Sequence, residues 1–184
     1  MYDDDPTVLL VDDETNITAL FEAWLADRYD VRTANDGRTA IERMDEAVDV
    51  VLLDRRMPGL SGDEVLKAFR ERGYDARVAM VTAVEPDFDV VSMGFDDYLT
   101  KPVEREELVE VIDGLLSRRE YDEGIRTYYA LAAKKAALEA SKPTSELVGS
   151  EEYEELVAEL ERREEDLDEQ LDASGDFEAA FQDV

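Results

Sequence analysis

Residues 50–64 read Val50-Val51-Leu52-Leu53-Asp54-Arg55-Arg56-Met57-Pro58-Gly59-Leu60-Ser61-Gly62-Asp63-Glu64. Four consecutive apolar residues predict a strand covered on both faces, because a strand with one wet face would alternate apolar and polar. Pro58-Gly59 marks a turn. Ser61-x-x-Glu64 is a capping box, and it opens a helix that carries Val65, Leu66 and Phe69. A buried strand that ends on an acid and passes through a turn into an amphipathic helix is the unit from which parallel α/β sheets are built.

The same unit recurs on either side. Val8-Leu9-Leu10-Val11 and Val78-Ala79-Met80-Val81 are further strands, with a weaker one from Tyr29 to Ala34 and a short one at Asp97-Tyr98-Leu99-Thr100. Helical stripes lie between them: Ile17, Leu20, Phe21, Trp24 and Leu25; then Ala40, Ile41 and Met44; then, after the fifth strand, Leu108, Val111, Ile112, Leu115 and Leu116. Pro86 to Gly94 is a short segment containing Val90, Val91 and two Asp, all indifferent helix formers. Five strand–helix repeats predict a doubly wound α/β domain over residues 5–118.

From Arg119 the strand signals stop. Ile125, Tyr128, Tyr129, Leu131 and Leu138 suit a helix to about Ser141, with Gly124 as a weak point, and Ser141-Lys142-Pro143-Thr144-Ser145 breaks it. Gly149-Ser150 can cap a second helix, with Tyr153, Val157, Leu160, Leu167 and Leu171 at coiled-coil spacing. Residues 119–172 therefore predict an antiparallel helical hairpin, or the same helices paired between two copies as a homodimer. Residues 173–184 form a short amphipathic tail with Phe177, Ala180 and Phe181 on one face. Arg126, Lys134, Lys135 and Lys142 face about twelve acids in residues 151–172. The modest reading is charge balance between the two helices; the bolder one is a docking surface for a partner.

Composition narrows the chemistry. Of 184 residues 44% are hydrophobic, enough for a core, yet 49 Asp and Glu stand against 20 Lys and Arg, a formal charge of −29. Such a surface repels duplex DNA and anionic lipid, so direct DNA binding and membrane association are both disfavoured. There is no Cys and no His, which removes thiolate chemistry and the usual general base. The first residues carry neither a basic segment nor an apolar run, so no signal peptide is expected and the expected location is cytoplasmic.

In open α/β sheets, ligands bind beyond the carboxyl ends of the strands. The first strand here runs into Asp12-Asp13, the third into Asp54, the fourth into Thr82 and the fifth into Lys101-Pro102. Taken singly these positions say little: Asp13 could cap the next helix and Asp54 could start a turn. Lys101 is sharper, because only five of the 20 cations are Lys. A compact ammonium suits a point contact with a phosphoryl oxygen. Carboxylates held close together also favour a hard divalent cation with oxygen ligands.

Val11-Asp12-Asp13-Glu14, Leu53-Asp54-x-x-Met57-Pro58-Gly59-x-Ser61-Gly62, Val81-Thr82-Ala83 and Tyr98-Leu99-x-Lys101-Pro102 together resemble the signature of two-component receiver domains. The resemblance implies a five-stranded flavodoxin-like sheet in the order 2-1-3-4-5 and a histidine kinase as phosphoryl donor. It implies Asp54 as phosphoacceptor and Mg2+ held by Asp13, Asp54 and the Arg56 backbone carbonyl, with Asp12 acting through water. Thr82 and Lys101 would contact the phosphoryl group, and Thr82 and Tyr98 would form the switch. Two departures, Arg56 and the apolar Val84, occupy positions that tune hydrolysis in the family, and Val84 offers nothing to orient a water, so slow self-dephosphorylation is expected. Tyr128-Tyr129-x-Leu131-Ala132-x-Lys134-Lys135, the acidic helix from Tyr153 and Asp176-Phe177-Glu178-x-x-Phe181 resemble the HalX domain of haloarchaeal regulators. Scarce Lys and abundant acids fit a salt-loving source, where at about 1 M salt a Debye length of roughly 3 Å screens self-repulsion.

The function expected is a response regulator of a phosphorelay, a signalling phosphoacceptor rather than an enzyme with a turnover substrate. It would catalyse only its own phosphorylation and slow dephosphorylation, and control an unidentified output protein or its own dimerisation. The alternatives are a phosphotransfer intermediate or kinase inhibitor without its own output, and a transcriptional regulator acting through the helical domain.

Overall fold

The computed structural model describes residues 5–117 and 123–174. The side chains of 169–174 and all of 175–184 fall outside the described residues, and with them Leu171 of the seam and Phe177, Ala180 and Phe181 of the tail.

Five strands, β1 (Thr7–Val11), β2 (Asp30–Ala34), β3 (Val48–Leu53), β4 (Arg77–Thr82) and β5 (Asp97–Thr100), form one parallel sheet in the order 2-1-3-4-5. Helices α1 (Thr15–Leu25), α2 (Gly37–Arg43), α3 (Gly62–Glu71) and α4 (Arg105–Ser117) cover it. Strand side chains alternate between two cores. Val8, Leu10, Val50, Leu52, Ala79 and Val81 pack with Phe21 and Leu25 of α1 and Leu108, Ile112 and Leu115 of α4. Leu9, Val11, Val51, Leu53, Val78 and Met80 face the other way, onto Ala40, Val65 and Phe69. The continuously apolar strands are thus covered on both sides, as their sequence requires.

Register positions the site. Val11 of β1 pairs with Leu53 of β3, and Leu53 pairs with Met80 of β4, so Asp12 and Asp54 emerge from adjacent strands at one level. The capping box forms in both directions: the Glu64 backbone N–H donates to the Ser61 hydroxyl, and the Glu64 carboxylate accepts from the Ser61 backbone N–H at 2.8 Å. Gly62 begins α3 because nothing larger fits: a Cβ there would lie 2.1 Å from the Asp54 carbonyl oxygen. That close approach sets α3 against the end of β3.

Between β4 and β5 the Pro86–Gly94 segment makes only a five-residue 3-10 helix, Phe88–Ser92. Asp87 caps it by accepting from the Phe88 N–H. So short an element cannot cover the sheet edge it crosses. The cover comes from the C-terminal helices α5 (Glu123–Ser141), α6 (Thr144–Leu147) and α7 (Glu151–Ser174). Leu138, Leu147 and Leu156 belong to the same core as Val90, Phe95 and Tyr98. Helix α7 folds back along α5, where the Tyr153 hydroxyl donates to Glu139 at 2.7 Å, and Ser150 caps α7 by accepting from the Tyr153 N–H.

Two expectations about the hairpin change. The cations of α5, and Lys142 just after it, turn mostly to the α/β domain instead of the acids of α7. Arg126 pairs with Asp75 at 2.7 Å, Lys142 with Asp87 at 2.9 Å, and the Lys134 ammonium donates to the carbonyls of Met93 at 2.6 Å and Val91 at 3.1 Å. Lys135 pairs within its own helix, with Glu139. The deepest described residue of α7 is Leu156, which the seam reading left out, while Tyr153, Val157, Leu160 and Leu167 are half-buried. A helix that serves two neighbours, α5 and the 3-10 segment, does not keep a single seam.

If the hairpin is part of the core, Leu138, which is fully buried, should behave as a core residue. Leu138→Ala is expected to cost about 2–5 kcal/mol in urea unfolding, while Val148→Ala, at a position 68% exposed, stays within about 0.5 kcal/mol.

Candidate functional site

At the carboxyl edge of the sheet, Asp12 and Asp13 follow β1 and Asp54 follows β3. One carboxylate oxygen from each lies within 4.8 Å of the others. Asp12 and Asp54 are buried and Asp13 is half-buried. Backbone bonds fix the edge: the Asp54 N–H donates to Val11 at 2.8 Å, the Asp12 N–H to Ala34 at 3.1 Å, and the Lys101 N–H to Thr82 at 2.8 Å. The Asn35 amide holds the Asp12 carbonyl and the Thr18 hydroxyl, tying α1 to the same place.

Lys101 brings its ammonium 2.5 Å from Asp12. Thr82, fully buried at the end of β4, stands beside Asp54. Burial pushes the Asp54 carboxyl above the ordinary carboxylate range; the Thr82 hydroxyl and the Lys101 charge oppose this, and the neighbouring Asp12 reinforces it. Ionising Asp54 in the folded chain therefore carries a cost that a positive charge beside it would relieve. The Asp13 cap reading does not hold: the residue before α1 is Glu14, with no side-chain cap, and Asp12 accepts from the Glu14 N–H at 2.9 Å.

Tyr98 on β5 is turned inward and 8% exposed. Its hydroxyl donates to the Val84 carbonyl at 2.7 Å and its ring packs on Phe95, with centroids 5.6 Å apart. Burial raises the phenol pKa. Arg56 and Val84, the two departures, line an open depression of about 920 Å³ beside the cluster, together with Asp13 and Arg55.

Arg55 is a charged residue beside the site that the sequence reading passed over. It is buried, although it directly follows Asp54, and its guanidinium holds Asp63 of α3 through two nitrogens and also reaches Asp89 in the 3-10 helix. Burial works against its charge, but the two carboxylates outweigh that and raise its pKa. A cation next to the acceptor was visible in the sequence, as was Asp63 eight residues on. Asp89, 34 residues away, was not.

The donor set fits a hard divalent cation: three carboxylates converge, burial leaves them poorly hydrated, and their repulsion is incompletely offset by one ammonium.

Comparison with known proteins agrees with this geometry. The family described as the response regulator receiver domain matches residues 8–113, and the HalX domain matches residues 117–181. A protein of Haloferax volcanii named for transcriptional regulation is 48% identical over 155 residues, covering 84% of this chain and 26% of that protein. The transcriptional regulatory protein CpxR of Escherichia coli K12 is 38% identical over 120 residues, 63% of this chain and 51% of CpxR. The chain thus spans about a quarter of the first relative's length and about half of the second's. Among solved structures, the chemotaxis protein CheY4 of Vibrio cholerae superposes with a TM-score of 0.57 at 31% identity, over 60% of this chain and 98% of that one. The response regulator TrrA of Thermotoga maritima, solved with Mg2+ and BeF, gives 0.55 at 34% identity, over 60% and 99%. Sheet order, strand-end residues and family matches coincide, and the chain belongs to the response regulator receiver family, with a HalX domain after the receiver.

Proposed function

We propose that the chain is a phosphorelay response regulator whose Asp54 accepts a phosphoryl group from a histidine kinase, and that it acts as a signalling phosphoacceptor without a turnover substrate. The observation that carries this reading is the meeting of Asp12, Asp13 and Asp54 with Lys101 and Thr82 at one sheet edge. Asp13, Asp54 and the Arg56 carbonyl would hold Mg2+, with Asp12 acting through water; when bound, the ion supplies positive charge against the phosphoryl oxygens. Each residue of the chain has a task. The Asp54 carboxylate needs no base: its oxygen attacks phosphorus, the phosphorus–nitrogen bond of the donor breaks, and the departing imidazole takes a proton. Lys101 offsets charge on the phosphoryl oxygens and the Thr82 hydroxyl donates to one of them. Tyr98 packs inward beneath the Val84–Phe95 segment and transmits the change to the surface, where a histidine kinase, an output protein or a second copy would read it.

A second reading, regulation of transcription through the helical domain, is favoured by the names of the relatives, and it weighs against the expectation that direct DNA binding is disfavoured. No helix among the described residues is long and apolar enough to cross a membrane.

A small phosphodonor with Mg2+ at high salt should add one phosphoryl mass to the intact chain and none to Asp54→Asn; a modified variant would rule out Asp54. Val84 should make the adduct long-lived, with loss over many minutes when its mass is followed with time; decay within seconds would exclude that role. Because folding raises the Asp54 pKa, the folded state holds this proton more tightly than the unfolded chain. The group adds stability as pH falls through its folded pKa and withholds it at neutral pH. Without divalent ions, Asp54→Asn should therefore raise the melting temperature at pH 7, with the gain shrinking toward the ordinary aspartate value of about 4. Mg2+ at about 100 times its Kd should stabilise the parent by roughly 2.7 kcal/mol and Asp13→Asn by much less.

A further inference from the structure

We propose that docking of the α5–α7 hairpin holds the receiver in its phosphoryl-accepting conformation, so that hairpin docking and phosphorylation strengthen each other. This rests on Asp54 being the acceptor. The segment from Val84 to Phe95 is gripped from two sides. On the site side, Arg55 reaches Asp89, and the Tyr98 hydroxyl holds the Val84 carbonyl. On the other side are α5 and Lys142 just after it. Lys134, 7% exposed, bonds the carbonyls of Val91 and Met93 and lies 5.3 Å from the Phe95 ring centroid. The Ser141 hydroxyl donates to the Pro86 carbonyl at 3.2 Å, and Lys142 pairs with Asp87 and sits 4.8 Å over Phe88. A single five-residue 3-10 helix cannot fix the segment's position, so these side chains do.

The grip reaches the acceptor. The Thr82 hydroxyl stands beside Asp54 and accepts from the Val84 N–H at 3.3 Å, so the donor that a phosphoryl group would meet is tied to the first residues of the gripped segment. Without the hairpin, Val90, Phe95 and Tyr98 lose the cover of Leu138, and Val91 and Met93 lose Lys134. The segment then samples arrangements in which Thr82 and Val84 are not held at the site. A phosphoryl group that uses Thr82 and Lys101 binds the docked conformer more tightly, and linkage requires the same factor to tighten docking. The opposite sign would need the phosphoryl group to draw Arg55 off Asp89. Lys101 is the cation whose field already acts on Asp54, and Arg55 is committed to Asp63 through two nitrogens.

The test uses the full chain at high salt with Mg2+ and fluoroberyllate, with fluorine NMR reporting bound probe and amide hydrogen exchange reporting the hairpin. Saturation should slow exchange at residues 88–93 and 131–142 by about fivefold or more, and Lys134→Met and Lys142→Ala should each weaken fluoroberyllate binding by a similar factor. Lys142 is at the surface end of the contact, so its variant reports even if Lys134→Met fails to fold. Bound fluoroberyllate with unchanged or faster exchange in α5, or a folded variant that binds as tightly as the parent, overturns the coupling and leaves the acceptor site standing. No bound fluoroberyllate overturns both.

Discussion

Asp12, Asp13 and Asp54 repel one another, and the parallel sheet does not let them separate. Their strands pair so that Val11 lies opposite Leu53. The next residue of each strand must then emerge at the same height, and main-chain bonds to Val11 and Ala34 hold them there. The repulsion is a property of the fold and is not removed by rotating one side chain into water, because two of the three are buried. Lys101 meets only part of it. A site in that condition has standing affinity for positive charge and for donors, and stability is given up at neutral pH to keep it.

The division of the chain into a receiver and a HalX domain follows the family matches, but the packing does not stop at that boundary. In a doubly wound sheet each crossover normally brings its own helix. The crossover between β4 and β5 brings a 3-10 turn, and α5 supplies the missing cover through Leu138 and Lys134. A buried ammonium is costly unless its protons are bonded, and the two carbonyls it meets belong to a turn too short to satisfy them itself. The two elements are complementary in what each lacks.

This also explains what the sequence could and could not reveal. The sheet was legible because β1, β3 and β4 are continuously apolar and each ends on a residue with chemistry; five strands in a known order left few arrangements of Asp12, Asp13, Asp54, Thr82 and Lys101. The capping box at Ser61 was legible because both of its partners lie within four residues. The Pro86–Gly94 segment was read as weakly helical, and Val90, Val91 and the acids do limit it to a 3-10 turn. What covers it was not legible, since the partners of Lys134, Ser141 and Lys142 are some 40 to 55 residues away. Periodicity in α7 pointed to a coiled-coil seam, and Leu156 lay off it, because the pattern records one apolar face and the helix has two neighbours. Arg55 was passed over for a related reason: an exposed-looking cation in a loop gains its meaning from Asp89 in a different crossover.

Charge then constrains how a regulator of this kind could influence transcription, the activity for which its relatives are named. At −29 the chain opposes any polyanion in dilute buffer. At about 1 M salt the repulsion is screened, but so is the counterion release that drives phosphate contacts, so a direct reader would have to rely on base edges and apolar surface. The natural cations for such a surface are those of α5 and Lys142 just after it. Arg126 is paired with Asp75, Lys134 is buried on Met93 and Val91, Lys135 is paired with Glu139 and Lys142 with Asp87. A helix that has used its positive charge to dock on its own receiver has little left for a phosphate backbone. Undocking would release Arg126, Lys134 and Lys142 but not Lys135, and the state of the hairpin is thus the variable on which a DNA-facing role and a protein-facing role would diverge.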